Sequence, residues 1–353
     1  MRVALVVHHA RPTGGQDRYA LELARHLAAD CEVTLVAIRA TGDLPPGVRL
    51  LPVRAPDRPL LLTAPLFRRA ASALLRHEHF DVVHAIGGAL PGSSVITAQF
   101  CHAAWAAVAP RASLNQRLVT RQAIADERAA YRHPALRAVV AVSRTTAADV
   151  ALHYGPLRSP VTVIPNGVDL DVFRPKGAPR PARDPAVVLL VGAYERKGLE
   201  TAIEALALMR TRARLRAVGA GPRRRYERLA ELLGVADRVA LEPPRPDIAA
   251  VFAEADAFVF PTRYDPFGMV VAEALACGVP VVTSAAAGAA DLITPGEHGY
   301  VVPDAHDTRA FADALDAVLA DRERLSAAAP SAVRVLSWDA VAQRTLDVYR
   351  AAS

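Results

Sequence analysis

The chain reads as an α/β protein of two doubly wound domains in tandem, each an open parallel sheet covered by helices on both faces. Three observations predict this. Strand-sized apolar runs alternate with helical patterns in two successive series, which is the pattern of βαβ units. A stretch rich in Pro, Gly and Arg, Asn166 to Pro185, separates the series and has the composition of a linker. The 353 residues, 52% of them hydrophobic, suffice for two full cores.

The first series opens with the strand-like run Val3 to Val7 and continues through Val33 to Ile38, Val82 to Ile86, Ser94 to Ala98 and Ala138 to Val142. Helical periodicity lies between them at Arg18 to Ala29, Leu66 to Leu75, Leu118 to Tyr131 and Thr145 to His153. In the second series the strands are Val187 to Val191, Leu215 to Val218, Ala257 to Phe260 and Val279 to Val282. Its helices are Leu199 to Met209, Arg224 to Leu233, Ile248 to Ala253 and Phe267 to Ala276. Trp338 to Arg350 again has helical spacing. Domains are therefore expected over residues 1–170 and 171–335, with 336–353 forming a helix that packs back on the first domain.

Composition narrows the class. The longest apolar runs are strand-sized, too short to cross a bilayer, and Met1 leads directly into a strand without a signal-peptide pattern. A cytoplasmic protein is expected. Cys31, Cys101 and Cys277 are scattered and lack Cys-x-x-Cys spacing, so neither a disulfide framework nor a zinc site is indicated. The net charge of +6 is carried almost wholly by arginine, since Lys176 and Lys197 are the only lysines. Arginines gather at Arg68, Arg69 and Arg76, and again at Arg111, Arg117, Arg121, Arg128 and Arg132. The second group interleaves with Leu118, Ile124 and Ala125, which suits either a solvated helix face or a helix resting on an anionic membrane. No aromatic stacking platform accompanies the charges, which disfavours nucleic acid.

The stretch Asp265 to Gly278 is the most informative. Asp265 before Pro266 reads as a helix N-cap, and Glu273 follows eight positions later, two turns inside the helix. The amides of Phe267, Gly268 and Met269 are expected to be free for an anionic or hydroxyl-rich ligand. Arg196 and Lys197 sit at another expected helix start, where a lysine surviving in an arginine-rich chain suits a phosphate. Gly14 and Gly15 turn the first strand into its helix without the G-x-G-x-x-G dinucleotide fingerprint, and after a second glycine-rich turn, Val218 to Pro222, Arg224 stands where the third glycine of that fingerprint would be. Asp169 and Asp171 have a D-x-D spacing but lie in the interdomain stretch, and read as structural.

Together R-K-G at Arg196 to Gly198, the block from Val259 to Val282, I-P-N-G-V-D at Ile164 to Asp169 and the early Gly14-Gly15 resemble the family 4 retaining glycosyltransferases of the GT-B fold. The second domain is also similar to the lipopolysaccharide core glucosyltransferase branch. The resemblance implies two Rossmann-like domains facing each other across a cleft, the first binding acceptor and the second a nucleotide sugar. It places Asp265 near the donor sugar and Glu273 on the ribose hydroxyls. Arg196 and Lys197 would clamp the donor diphosphate beside Gly15, and Phe267, Gly268, Met269 and Val270 would contact sugar and phosphate through their amides.

Departures are Asp265, shorter by one methylene than the usual glutamate, and Ala193, where many members carry arginine. A histidine of the first domain often faces the reaction centre; here Gln99 and His102 compete for that place. No cofactor and no metal are expected, because two cations and helix-terminal amides can stabilise a departing diphosphate. The implied activity is transfer of a hexose from a nucleotide diphosphate sugar, UDP-linked or GDP-linked, to a lipid-linked or envelope glycan. A catalytically silent scaffold and a nucleotide-sugar epimerase remain the alternatives.

Overall fold

The computed structural model describes residues 1–12, 14–88, 90–109, 113–175 and 183–352, and all elements below are those of the described residues. Arg111 and Lys176 lie outside them, as does Thr13 of the first glycine turn. The chain divides into two compact units, Met1–Gly167 with Trp338–Ser353, and Val168–Ser337.

The first unit is built on β1 (Arg2–Val6), β2 (His9–Ala10), β3 (Glu32–Ala37), β4 (Arg39–Ala40), β5 (Val48–Pro52), β6 (Val82–Ile86), β7 (Val95–Ala98), β8 (Ala138–Ala141) and β9 (Val161–Val163). Seven of these form one parallel sheet in the order β5-β3-β1-β6-β7-β8-β9, with β2 and β4 paired separately. Val3, Ala4, Leu5 and Val6 of β1 are fully buried, as an interior strand of a parallel sheet covered on both faces must be. The helices are α1 (Gly15–Leu27), α2 (Leu60–Leu75), α3 (His102–Val108), α4 (Leu114–Tyr131) and α5 (Arg144–Tyr154). Helix α2 begins six residues before the expected Leu66 and holds Pro65 inside it. The ring removes one amide donor, which a helix with its later turns packed can tolerate. The sequence pattern misses α3, β5 and β9; both strands lie at sheet edges and are half-exposed.

The C-terminal helix Trp338–Ala352 belongs to this unit. Tyr349 is fully buried and its hydroxyl lies 2.6 Å from His84 Nδ1, while His84 Nε2 lies 2.7 Å from Thr97 Oγ1. The Trp338 ring covers Gly167, where a Cβ would meet ring carbon at 2.4 Å. That close approach explains the glycine of the N-G-V-D segment.

The second unit is a six-stranded parallel sheet of β10 (Ala186–Val191), β11 (Ala213–Val218), β12 (Val239–Glu242), β13 (Ala257–Phe260), β14 (Val281–Ser284) and β15 (Gly299–Val302), ordered β12-β11-β10-β13-β14-β15. Helices α6 (Leu199–Leu208), α7 (Arg223–Leu232), α8 (Ile248–Phe252), α9 (Met269–Ala276), α10 (Thr308–Ala320) and α11 (Arg322–Ala328) accompany it. Leu190, Ile203, Leu206, Phe311 and Leu315 are at the centre of its core. Asp169 Oδ1 accepts from the amides of Asp171 and Val172 at 3.0 and 3.1 Å, so the D-x-D aspartate closes a turn.

In each sheet the strand order reverses at one place, between β1 and β6 and between β10 and β13. Doubly wound sheets bind ligands in the crevice at the carboxyl ends of the strands flanking such a reversal.

Candidate functional site

At the reversal of the second sheet, β10 runs into the turn 192–198 and β13 into the loop 261–268. Arg196 and Lys197 ride on that turn, ahead of α6, and not on the helix start expected from the sequence. Gly198, with φ 77°, caps α6 and packs so tightly that a Cβ would meet the Pro261 carbonyl oxygen at 2.0 Å. Thr262 Oγ1 donates to the Arg196 carbonyl at 2.9 Å. Turn and loop are therefore stitched together, and the side chains they carry meet.

Asp265 is where they meet. Its Oδ2 accepts from Lys197 Nζ in a close ion pair and lies 3.5 Å from Arg196 Nη1. Its Oδ1 accepts from the Phe267 amide at 3.3 Å. Burial would raise the Asp265 carboxyl, but the Lys197 ammonium and then the Arg196 guanidinium outweigh it and hold the group below the usual carboxylate range. For Lys197 burial wins over the attraction of Asp265, and its pKa is lowered. The ammonium also sits 4.5 Å from the centre of the Phe260 ring. Lys197 is buried, whereas the Arg196 side chain is 39% exposed. Arg196 is the cation of the pair that reaches solvent.

The structure differs from the sequence expectation in three details. Asp265 does not cap the helix: α9 starts at Met269 with Gly268 as its cap, at φ 90° and ψ 61°, a left-handed conformation that glycine adopts without strain. The Phe267 amide is not free, since Asp265 holds it. Glu273 is consequently the fifth residue of α9, little more than one turn from its start, and is 2% exposed. Met269 and Val270 open the first turn of α9.

In the first unit Gly14 caps α1 at φ 92°, with open space where a Cβ would lie, and Gly15 is the first helical residue. Of the two competing residues, Gln99 turns inward: its Nε2 donates to Asn166 Oδ1 at 3.1 Å, and both side chains are buried. His102 is instead 37% exposed at the start of α3, with Nδ1 2.7 Å from Glu127 Oε1 and its amide donating to Glu127 Oε2 at 3.0 Å. The buried Glu127 also accepts from the Tyr154 hydroxyl, whose pKa is raised by burial and by that carboxylate. This leaves Nε2 as the outward face of the His102 ring.

Glu127 and Tyr154 were not legible as site residues, because Glu127 stands among arginines of α4 and its histidine partner is 25 residues away. His102, Glu127 and His8 line a pocket of about 310 Å³ at the reversal of the first sheet. Among the described residues no group of three or more His, Cys, Asp or Glu side chains could hold a metal ion, and no helix is long and apolar enough to cross a membrane.

Family profiles match both units: "Glycosyltransferase Family 4" over residues 13–172 and "Glycosyl transferases group 1" over residues 185–321. A protein of Xylanimonas cellulosilytica named D-inositol 3-phosphate glycosyltransferase is 31% identical, over 100% of this chain and 97% of that one. The chain belongs to glycosyltransferase family 4. This glycosyltransferase also resembles two solved structures. One is WaaG, a glycosyltransferase involved in lipopolysaccharide biosynthesis, with TM-score 0.80 and 25% identity over 98% of this chain and 99% of that one. The other is a sucrose-phosphate synthase from Thermosynechococcus elongatus, with TM-score 0.83 and 25% identity over 99% and 98%. Both support the two-unit GT-B fold.

Proposed function

We propose that this enzyme transfers a hexose from a nucleotide diphosphate sugar, UDP-linked by preference, to an acceptor hydroxyl with retention at the anomeric carbon. The observation that carries the reading is the convergence of Lys197 and Arg196 on Asp265 at the sheet reversal of the second unit. As the anomeric bond breaks, its electron pair leaves with the diphosphate, while the acceptor oxygen bonds to the anomeric carbon on the same face and passes its proton to the leaving phosphate oxygen. Lys197 and Arg196 stabilise that charge, assisted by the first amides of α9, Gly268 to Val270. This arrangement works without a metal or other cofactor. Glu273 takes the ribose hydroxyls.

Asp265 takes a role its short side chain suits: it fixes the lysine ammonium and the loop 265–267, and so presets where the phosphates go. His102, oriented by Glu127, presents Nε2 to the acceptor. The donor occupies the second unit and the acceptor the first. We take the acceptor to be borne on a membrane surface, since the exposed face of α4 carries Arg117, Arg121 and Arg128 beside the exposed Leu114 and Leu118. Such a face suits attachment to the cytoplasmic side of an anionic bilayer. The name of the Xylanimonas relative favours a second reading, an inositol phosphate acceptor.

A thermal-shift screen with UDP, GDP and ADP tests the donor assignment. A nucleotide that binds only the folded state raises the melting temperature. UDP is expected to raise it most; no shift with any of the three contradicts the reading.

A further inference from the structure

We infer that the pocket of the first unit receives the uncharged, apolar-bodied end of an acceptor alcohol, and not a phosphorylated one. The inference rests on the transfer reading above and names the substrate class of its acceptor side.

The pocket lies where ligand crevices of doubly wound sheets lie. His8 and His9 follow β1, Gly87 and Gly88 follow β6, and α2 and α4 close the sides. Its volume of about 310 Å³ is roughly twice that of a cavity of about 150 Å³ that accepts benzene. Leu60, Leu61, Ala64, Phe100, Val119 and Ala123 make much of the wall apolar, the usual character of a small-molecule site.

The charges decide what enters. Among the described lining residues there is no lysine or arginine, while Asp126 and Glu127 are both present. Asp126 of the lining holds Arg68 in an ion pair. Glu127 is held by His102 and Tyr154. A phosphate placed here would leave water for a wall with two carboxylates and no cation free to answer it, an arrangement that disfavours binding.

His8 supplies the complementary signal. Its ring packs against Phe67 at a tilt of 41°, with centroids 4.5 Å apart, and among the described residues its buried Nε2 has no hydrogen-bond partner. Burial, with help from His9 and Arg68, lowers its pKa to about 4, so the ring is neutral at physiological pH. A neutral imidazole nitrogen can donate or accept according to tautomer, and a hydroxyl satisfies either case. His8 lines the pocket, and a buried polar atom left unsatisfied is costly, so a ligand hydroxyl that turns this ring toward it gains a hydrogen bond.

The test uses the full chain with phenyl β-D-glucoside as the neutral probe and inositol 3-phosphate as the charged one, both titrated calorimetrically with UDP present. UDP binding is measured first on its own. The neutral probe is expected to bind, inositol 3-phosphate to bind at least about tenfold more weakly, and Val119→Trp, which fills the pocket, to weaken the neutral probe about tenfold or more. A circular dichroism spectrum and a melting curve like those of wild type show that the Val119→Trp variant is folded in both units. The inference is overturned if inositol 3-phosphate binds more tightly than the glucoside, if the glucoside does not bind, or if Val119→Trp leaves its affinity unchanged. Any of these with UDP binding intact removes the acceptor class alone, whereas loss of UDP binding in the wild type removes the transfer reading beneath it.

Discussion

Asp265 uses its two carboxylate oxygens differently, one on the Phe267 amide and one on the Lys197 ammonium. A longer side chain would separate those two contacts, which gives a physical reason for aspartate at this position. Asp265→Asn keeps an oxygen for the amide but removes the charge facing two cations. It should cost about 3 kcal/mol at neutral pH, read by urea denaturation, because a buried pair has lost one member. The acid side has a defined sign as well. With its folded pKa depressed, Asp265 contributes stability that is present above the ordinary carboxylate range and lost as pH falls through the folded value. The asparagine variant should therefore lose less stability than wild type on strong acidification; an equal loss would contradict the ion-pair account. Glu127 gives a second test at this scale. Three donors converge on its two oxygens, and a glutamine has only one accepting oxygen. Glu127→Gln should lower turnover about tenfold to a hundredfold, the usual effect of loosening a side chain's oriented support, with UDP affinity unchanged. Unchanged turnover would detach His102 from the chemistry.

Among the elements, the C-terminal helix is held to the first unit through a polar clasp inside an apolar setting. His84 is fully buried between Tyr349 and Thr97, and burial lowers its pKa to about 3. An unfolded histidine takes up a proton near pH 6.5, so between about pH 6.5 and 3 the unfolded chain binds the extra proton. Stability is full above that window and should fall on acidification by up to about 1.4 kcal/mol per pH unit. Urea midpoints at about pH 7 and pH 5 measure it, and a flat profile would mean that the clasp opens freely. The same clasp shows what sequence patterns cannot reach. Val82 to Ile86 is legible as a strand from its apolar residues, but nothing local says that His84 in its middle meets Tyr349, 265 residues on. The first turns of α2 were obscured by Pro65, and the short edge strands β5 and β9 have too few buried residues for a clear period. The R-K-G turn and the block around Asp265 were legible because the residues that meet there lie in two contiguous segments. What the sequence concealed was their mutual contact, the ion pair of Lys197 with Asp265, and the hold of Asp265 on the Phe267 amide.

For the molecule as a whole, two doubly wound units follow from the repeated alternation of strands and helices, and the reversal in each sheet places one cluster of candidate site residues per unit. The positive charge is less evenly placed. Arg117, Arg121 and Arg128 on α4 stand exposed with Leu114 and Leu118, and each arginine near anionic lipid is worth about 1 kcal/mol. The protein should float with phosphatidylserine-containing vesicles at low salt and be released at high salt, as screening predicts. Replacing the three arginines together by glutamine should abolish flotation while leaving UDP binding intact. Flotation that survives the triple replacement would place the attachment elsewhere.

On the proposed function, the Lys197 and Arg196 pair, set by Asp265, stabilises a departing diphosphate. The most direct test is the rate of nucleoside diphosphate release from UDP-glucose and GDP-mannose by wild type, Lys197→Ala and Lys197→Gln, with each protein's folding checked by its melting curve. The account predicts release by wild type from at least one donor and a rate lower by about a hundredfold to a thousandfold in both folded variants, the scale for removing one transition-state donor. Release at the wild-type rate by a folded Lys197→Gln would contradict it.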